Sequence, residues 1–472
     1  MMSKPHRLHP ATILFNFIRT IRESIFLIIL GFITFKGESF LYFSLVLSAL
    51  VVLFITISVL SWYRFTYRIV EDELRIEYGI FIRKKRFISK NRIQSIDLTA
   101  GVIHRLFKLV KVQIETAGSG MNAEASLKAV TLQDGEQIRR ELKSVRSTSI
   151  EESEIEEYPS QKISKKRLFI AGSTSGSIGV MLAIAAFGFS ELEQFIPDDF
   201  YNNTYEWVIG LGLAIIVFLV MVILLMLWLL GIAGTMIKYG NFTITKHEDE
   251  LFITRGLLEK KQITIPLKRI QAVGMQESVI RQPLGFVTVY AEVAGGSLDQ
   301  GEEFSTVLFP ILKANEVEGF LEKFLPTHKP TNKQLQPLPK RARKFYVLRS
   351  IVPFVILAGV AIYFYPQFSW VPIVLLVGSL YLGLLRYKDG GILTEDKRLT
   401  VRFRVLNKNT VIIFHKRIQA FEKKQHKIQK FNRLATISLS IVGKLGVGKH
   451  YKLKDLDESN TDVLADWYSY RK

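Results

Sequence analysis

At 472 residues the chain exceeds one ordinary domain, and 48% hydrophobic content with a mean hydropathy of +0.20 is more than a soluble globule needs. The absence of cysteine excludes disulfide frameworks, thiolate metal sites and cysteine nucleophiles together. A formal net charge of +20 must sit on the parts in water, where it favours an anionic surface. For a chain with membrane segments that surface is lipid, and no nucleic-acid partner is expected.

In chain order, apolar segments run from Thr12 to Phe35 and from Phe40 to Trp62, close to the ~17 to 25 residues that cross a hydrocarbon core as a helix. The first carries Arg19, Arg22 and Glu23, so its opening turns read as an interfacial lead with Arg19 and Glu23 one helical turn apart. No small-residue cleavage site follows it, which makes it a retained span rather than a signal peptide. Alternating strands come next, "ELRIEYG" and "KRFIS", then "NRIQS", "VKVQIETAG" and an amphipathic helix in "GEQIRRELKSV". The acidic "RSTSIEESEIEEYPSQ" is too poor in apolar residues to pack and reads as a linker.

The same order then recurs twice. Spans at Leu168 to Phe189 and Trp207 to Ile237 precede "ELFITRG", "KQITI", "KRIQA", "VTVYAEVAG" and "ANEVEGFLEKFL". After the basic, Pro-rich "PTHKPTNKQLQPLPKRARK", spans at Val347 to Tyr365 and Trp370 to Leu385 precede "TVIIF", "KRIQA", "ATISLSIVG" and "ESNTDVLADWYSYR". The connections within the second and third pairs contain no Lys or Arg, and the first of these holds Glu191, Glu193, Asp198, Asp199 and Glu206. The segments after each pair are basic. By the positive-inside bias, the N-terminus and all three long segments belong in the cytoplasm.

The three Arg-Ile-Gln steps are one column of a longer repeat. Arg92 to Gly118, Arg269 to Gly295 and Arg417 to Gly443 are equal steps without a gap, and Ile103, Ile280 and Ile428 share a column. Strands closed by one helix imply a small barrel or sandwich plugged at one end. The expected division is hairpins at 1–62, 168–238 and 347–386, folded units at 63–146, 239–326 and 387–472, and linkers at 147–167 and 327–346.

A membrane hairpin, strands, an Arg-Ile-Gln step, a run such as "VIRQPLGFVTVYAEVAGG" and a closing helix together resemble the bacterial pleckstrin-homology-like (DUF304-type) membrane proteins, the YdbT and YdbS type. The second copy carries the pattern best, with Arg269, Ile270, Gln271, Leu284, Gly285 and Gly295. Lys108 in the first copy, and Asn432 with Arg433 in the third, suggest a different turn before the last long strand. The resemblance implies an α+β membrane protein: six transmembrane helices as three hairpins, each followed by a cytoplasmic PH-like antiparallel β-barrel or sandwich with a C-terminal helix. It also implies a non-catalytic scaffold in the bacterial cytoplasmic membrane, with a role in envelope defence or antimicrobial-peptide resistance. Its implied partners are a smaller paralogous membrane protein or further copies of itself. The alternative class is a transporter or a component of an export or immunity complex, against which the spans hold few ionisable groups.

In an extended strand Ile93, Ile270 and Ile418 face the core, while Arg92, Arg269 and Arg417 share the other face with Gln94, Gln271 and Gln419. The plain reading of these residues, with Gly118, Gly295 and Gly443, is structural; the alternative is an arginine contact to lipid phosphate. The basic runs Arg83, Lys84, Lys85 and Arg86, then Lys260 and Lys261, then Lys416, Arg417, Lys423 and Lys424 read either as headgroup or partner contacts or as a solvated face. "GKLGVGKH" falls one residue short of a phosphate-cradling loop, with His450 in place of the hydroxyl and a strand following instead of a helix. With scattered histidines and no nucleophile elbow, neither a cofactor, a metal nor a catalytic residue is expected.

Overall fold

The computed structural model describes residues 4–116, 125–143, 158–175, 213–295, 305–331, 333–364, 370–443 and 448–469. Gly118, the turn at 190–206, most of the third apolar segment and the centre of the phosphate-loop lookalike lie outside them. The chain divides into two compact units, Met1–Glu157 with Leu258–Pro266, and Tyr158–Leu257 with Leu267–Lys472.

The first repeat runs β1 (His6–Arg7), α1 (Ala11–Thr34), α2 (Glu38–Arg64), β2 (Thr66–Val70), β3 (Glu73–Tyr78), β4 (Lys84–Ser89), β5 (Ile93–Ala100), α3 (Val102–Leu106), β6 (Leu109–Thr116), β7 (Ala125–Thr131) and α4 (Leu132–Lys143). The second runs β8 (Ser160–Lys162), α5 (Lys165–Ser173), α6 (Leu213–Tyr239), β9 (Thr243–His247), β10 (Glu250–Arg255), β11 (Lys260–Pro266), β12 (Ile270–Glu277), β13 (Phe286–Val293), β14 (Thr306–Lys313) and α7 (Val317–Phe324). The third runs β15 (Gln336–Pro337), α8 (Arg343–Phe364), α9 (Trp370–Asp389), β16 (Gly391–Glu395), β17 (Arg398–Arg404), β18 (Lys408–Phe414), β19 (Ile418–Lys424), α10 (Lys427–Phe431), β20 (Leu434–Val442), β21 (Gly448–Asp457) and α11 (Glu458–Ser469).

Among the described residues four helices are long and apolar enough to cross a membrane: Ser39–Arg64, Val217–Tyr239, Lys340–Phe364 and Trp370–Asp389. α1 is one continuous helix in which Arg19 Nε meets Glu23 Oε1 at 2.7 Å. Paired helices touch where one presents glycine. A Cβ on Gly383 would lie 3.0 Å from the Val347 backbone, and one on Gly172 would lie 3.0 Å from that of Ile232. Small residues let helix backbones approach where lipid offers no hydrophobic drive to associate.

Alternation builds the sandwiches. β3, β10 and β17 bury Leu74 and Ile76, Leu251 and Ile253, and Leu399 and Val401, the same columns of the repeat. Each such side chain contributes about 1.5–3 kcal/mol on leaving water. In the first repeat Leu74, Ile76 and Ile88 pack against Ile96, Val112, Leu127 and Ile138 of the second layer and its helix. The third repeat does the same with Leu399, Val401 and Ile413 against Leu434, Leu439 and Leu464.

The sheets do not follow the repeat boundaries. In the first unit the sheets run β1-β2-β3-β4 and β7-β6-β5-β11, so a strand of the second repeat extends the back sheet of the first. In the second unit the order β14-β13-β12-β18-β17-β16-β15 joins the back of the second repeat to the front of the third. The short strands β8 and β15 lie within stretches read as linkers, pairing with β9 and β16. Each repeat thus opens with an edge strand ahead of its apolar helices.

Arg-Ile-Gln marks the break between the two layers. A short 3-10 turn, Lys90–Arg92, Leu267–Arg269 or His415–Arg417, ends at the arginine, and Ile opens the next strand. The strand register shifts between Ile93 and Ser95, Ile270 and Ala272, and Ile418 and Ala420. Gln is therefore the bulge residue in all three copies. This corrects the outward reading of Gln271, which is buried and donates Nε2 to the Arg269 carbonyl at 3.1 Å. The turn before the last long strand does not differ between copies either: Lys108, Gly285 and Arg433 all adopt positive φ, at 55°, 69° and 50°.

Candidate anion-binding face

Each repeat exposes apolar side chains where β3 turns into β4, or its equivalent. The column of Phe81, Leu258 and Leu406 is 97%, 50% and 58% exposed, and Ile82 and Val405 stand beside it. Burying such residues elsewhere on a globule would be favourable, so turns that leave the same column bare three times ask for an apolar surface. In the second and third repeats the turn is tied to the end of a membrane-length helix. Gly256 and Leu257 donate backbone N–H to the carbonyls of Gly240 at 2.7 Å and Ile237 at 2.9 Å, and Arg386 Nε donates to the Val405 carbonyl at 2.8 Å. In the first repeat Ile80, Phe81 and Ile82 line a cavity of about 680 Å³ with Trp62 and Phe65 at the end of α2 and with Lys84 and Arg86. A second apolar finger follows β5, β12 and β19, where Leu106, Leu284 and Phe431 are exposed.

Beside the Val405 turn of the third repeat lies a cleft of about 420 Å³ lined by Arg349, Arg386, Arg404, Lys452 and Lys454. Two of the five charges are matched: Arg349 pairs with buried Asp455, and Arg404 Nε meets Asp389 Oδ2 at 2.5 Å. Arg386 Nη1 donates to Ser350 Oγ at 3.1 Å. Arg386, Lys452 and Lys454 have no carboxylate within ion-pair reach among the described residues. Burial, then the charges of Arg349, Lys452 and Arg386, hold the Lys454 ammonium below the usual lysine range. A phosphate in the cleft would reverse the electrostatic part of that shift. Three uncompensated cations beside an anionic leaflet amount to about 3 kcal/mol of attraction at ~1 kcal/mol each.

The structure separates the residues singled out from sequence. Arg83 Nη2 donates to Glu77 Oε2 at 2.8 Å, while Lys84, Lys85 and Arg86 are exposed on β4. Lys260 and Lys261 lie on β11, opposite Ala100 and Thr99. Lys416 is exposed, Lys423 pairs with Asp462, and Lys424 meets Glu422 at 3.0 Å. Arg92 is exposed, but Arg269 Nε donates to the Ala294 carbonyl at 2.8 Å and Arg417 Nη2 to the Lys268 carbonyl at 2.7 Å, so these two arginines brace backbone. Ile270 and Ile418 are buried, Ile93 and Gln94 half-buried, and Gln419 exposed. Gly295, at φ +68°, donates its N–H to the Gly443 carbonyl at 3.2 Å. Sequence reasoning missed the cleft because its charges come from two helix ends and two strands; the alternating Lys452 and Lys454 and the isolated Arg349 were its only signals. Gly448–His450, the tail of the phosphate-loop lookalike, is strand.

Comparison with known proteins agrees with this plan. The Bacterial PH domain family model matches residues 24–146, 205–325 and 348–472, each match ending at the closing helix of a repeat. The chain is 35% identical over 492 aligned residues to the UPF0699 transmembrane protein YdbT of Bacillus subtilis (strain 168), covering 100% of this chain and 99% of the relative. The chain belongs to this family. It is a membrane protein with three bacterial PH domains, of a family whose Bacillus subtilis relative is a transmembrane protein. The third domain of this bacterial PH-domain protein carries the basic cleft, and all three carry the apolar turn.

Proposed function

We propose that the protein is a non-catalytic platform of the bacterial cytoplasmic membrane, with six spans arranged as three hairpins and with its N-terminus and PH-like domains on the cytoplasmic side. The apolar turns dip into the interfacial layer beside the hairpins that carry them, and the cleft of Arg386, Lys452 and Lys454 holds an anionic headgroup. A platform held on the leaflet in this way would support envelope integrity and resistance to membrane-active peptides. The observation that carries the reading is the thrice-exposed column of Phe81, Leu258 and Leu406 next to the ends of membrane-length helices. Interfacial anchoring of this kind combines buried apolar area with attraction of cations to anionic lipid.

The test uses the native absence of cysteine. Full-length chains with Phe81→Cys or Phe431→Cys are labelled with an environment-sensitive dye and reconstituted in nanodiscs of phosphatidylcholine with or without phosphatidylglycerol. Both labels are expected to be quenched by lipid-borne nitroxide, more strongly with the anionic lipid, whereas a label at Glu136 on α4 is not. Equal quenching at all three positions, or none, overturns the reading.

A further inference from the structure

The chain uses one joint twice and leaves both of its halves open at the ends. In each internal joint the strand after Arg-Ile-Gln pairs antiparallel with the strand before the next Arg-Ile-Gln, β5 with β11 and β12 with β18. The register is identical when counted from the arginines: Ala100 opposite Lys260 corresponds to Glu277 opposite Lys408, and Leu98 opposite Gln262 corresponds to Met275 opposite Thr410. Two strands of these classes remain. β4 ends the sheet β1-β2-β3-β4, and β19 ends the sheet β19-β20-β21.

Both show what the joint would cover. Phe87 on β4 is 56% exposed, whereas its counterparts Thr264 and Ile412 are 4% and 2% exposed inside the joints. On β19 Gln419 and Ala420 are exposed, whereas Gln271 and Ala272 are 5% and 0% exposed. An open strand edge with a bare aromatic is a template for another strand.

We propose that β19 of one molecule pairs with β4 of a second copy, in the register of the internal joints. That register sets Phe421 opposite Phe87 and Glu422 opposite Arg86, an aromatic pair and a charge pair across the strands. It also sets Lys423 opposite Lys85 and Lys424 opposite Lys84. These like charges limit the joint without forbidding it, because Lys423 already pairs with Asp462 and Lys424 with Glu422. Head and tail surfaces differ, so the association is head-to-tail rather than a two-fold dimer. Pairing of these edges does not depend on headgroup binding.

The experiment mixes two full-length single-cysteine chains, Phe87→Cys and Phe421→Cys, in vesicles of phosphatidylethanolamine and phosphatidylglycerol under mild oxidation. A disulfide-linked mixed dimer is expected, strongly reduced when Glu422→Cys replaces Phe421→Cys, because adjacent strand residues point to opposite faces. Lys84→Glu with Lys85→Glu, which turns like pairs into opposite ones, is expected to raise the cross-linked fraction at limiting density by about tenfold. Absence of the mixed dimer overturns the proposal, as does equal cross-linking by the Phe421→Cys and Glu422→Cys chains. Cross-linking confined to the Lys84→Glu, Lys85→Glu background also overturns it, and would assign the β4 edge to an acidic strand of a different protein.

Discussion

Replacing Arg404 by alanine is expected to destabilise the third repeat by about 3–5 kcal/mol, the cost of leaving one partner of a buried ion pair alone. In the first two repeats this column is Gly79 and Gly256, at φ +110° and +105°; in the third it holds an arginine whose side chain is fully buried. Its guanidinium meets Asp389 at the end of α9, the Leu406 carbonyl at 3.0 Å and the Gln282 amide oxygen. Truncation strands the Asp389 carboxylate, which is 12% exposed, and empties one side of the turn that carries Val405 and Leu406. Arg404→Met combined with Asp389→Leu removes both charges and is expected to fall within about 1 kcal/mol of wild type. The assay is urea unfolding of the full chain in micelles, followed by fluorescence of Trp467, whose Nε1 donates to the Asp396 carbonyl in the same repeat at 2.7 Å. The other tryptophans are replaced by phenylalanine. A loss below about 1 kcal/mol for the single variant, or a double variant whose losses simply add, would refute the reasoning.

Burial, then Arg398 and Arg417, pushes the His328 imidazole down to about 4, so the folded protein holds it neutral. The depressed value means that its contribution is complete above the unfolded pKa near 6.5 and is lost as pH falls from there toward 4; stability at pH 5 is expected to be about 2 kcal/mol below that at pH 7. His328→Phe should flatten that slope in micelle unfolding series, and an unchanged slope counts against the assignment. Gly383→Leu forces the α8–α9 contact apart and is expected to cost about 1–3 kcal/mol, while Gly378→Leu, which meets no neighbour, costs far less; equal thermal shifts for the two would contradict the close-approach account. Lys108→Gly relieves a left-handed lysine and is expected to raise the melting point of the first unit slightly, whereas Gly285→Val should lower that of the second. The opposite signs are the check.

The linear sequence determined the repeat, its period, the pairing of apolar segments and the alternation that buries Leu74, Leu251 and Leu399, because each depends only on neighbours along the chain. It also determined the strand nature of the segment after the phosphate-loop lookalike. Tertiary structure decided what no local pattern encodes. Hydrogen-bonding edges carry no sequence label, so which repeat β11 or β18 would complete was settled only when the sheets assembled. The bulge recurs in all three copies, yet Gln271 is buried while Gln419, on an edge strand, is exposed. The basic cleft draws Arg349, Arg386 and Lys454 together from distant positions in the chain, because the ends of two packed helices meet two strands there. The sequence could say that the chain is built three times over; the folded structure decided that its repeats are joined through shared sheets, with the β4 and β19 edges unjoined among the described residues.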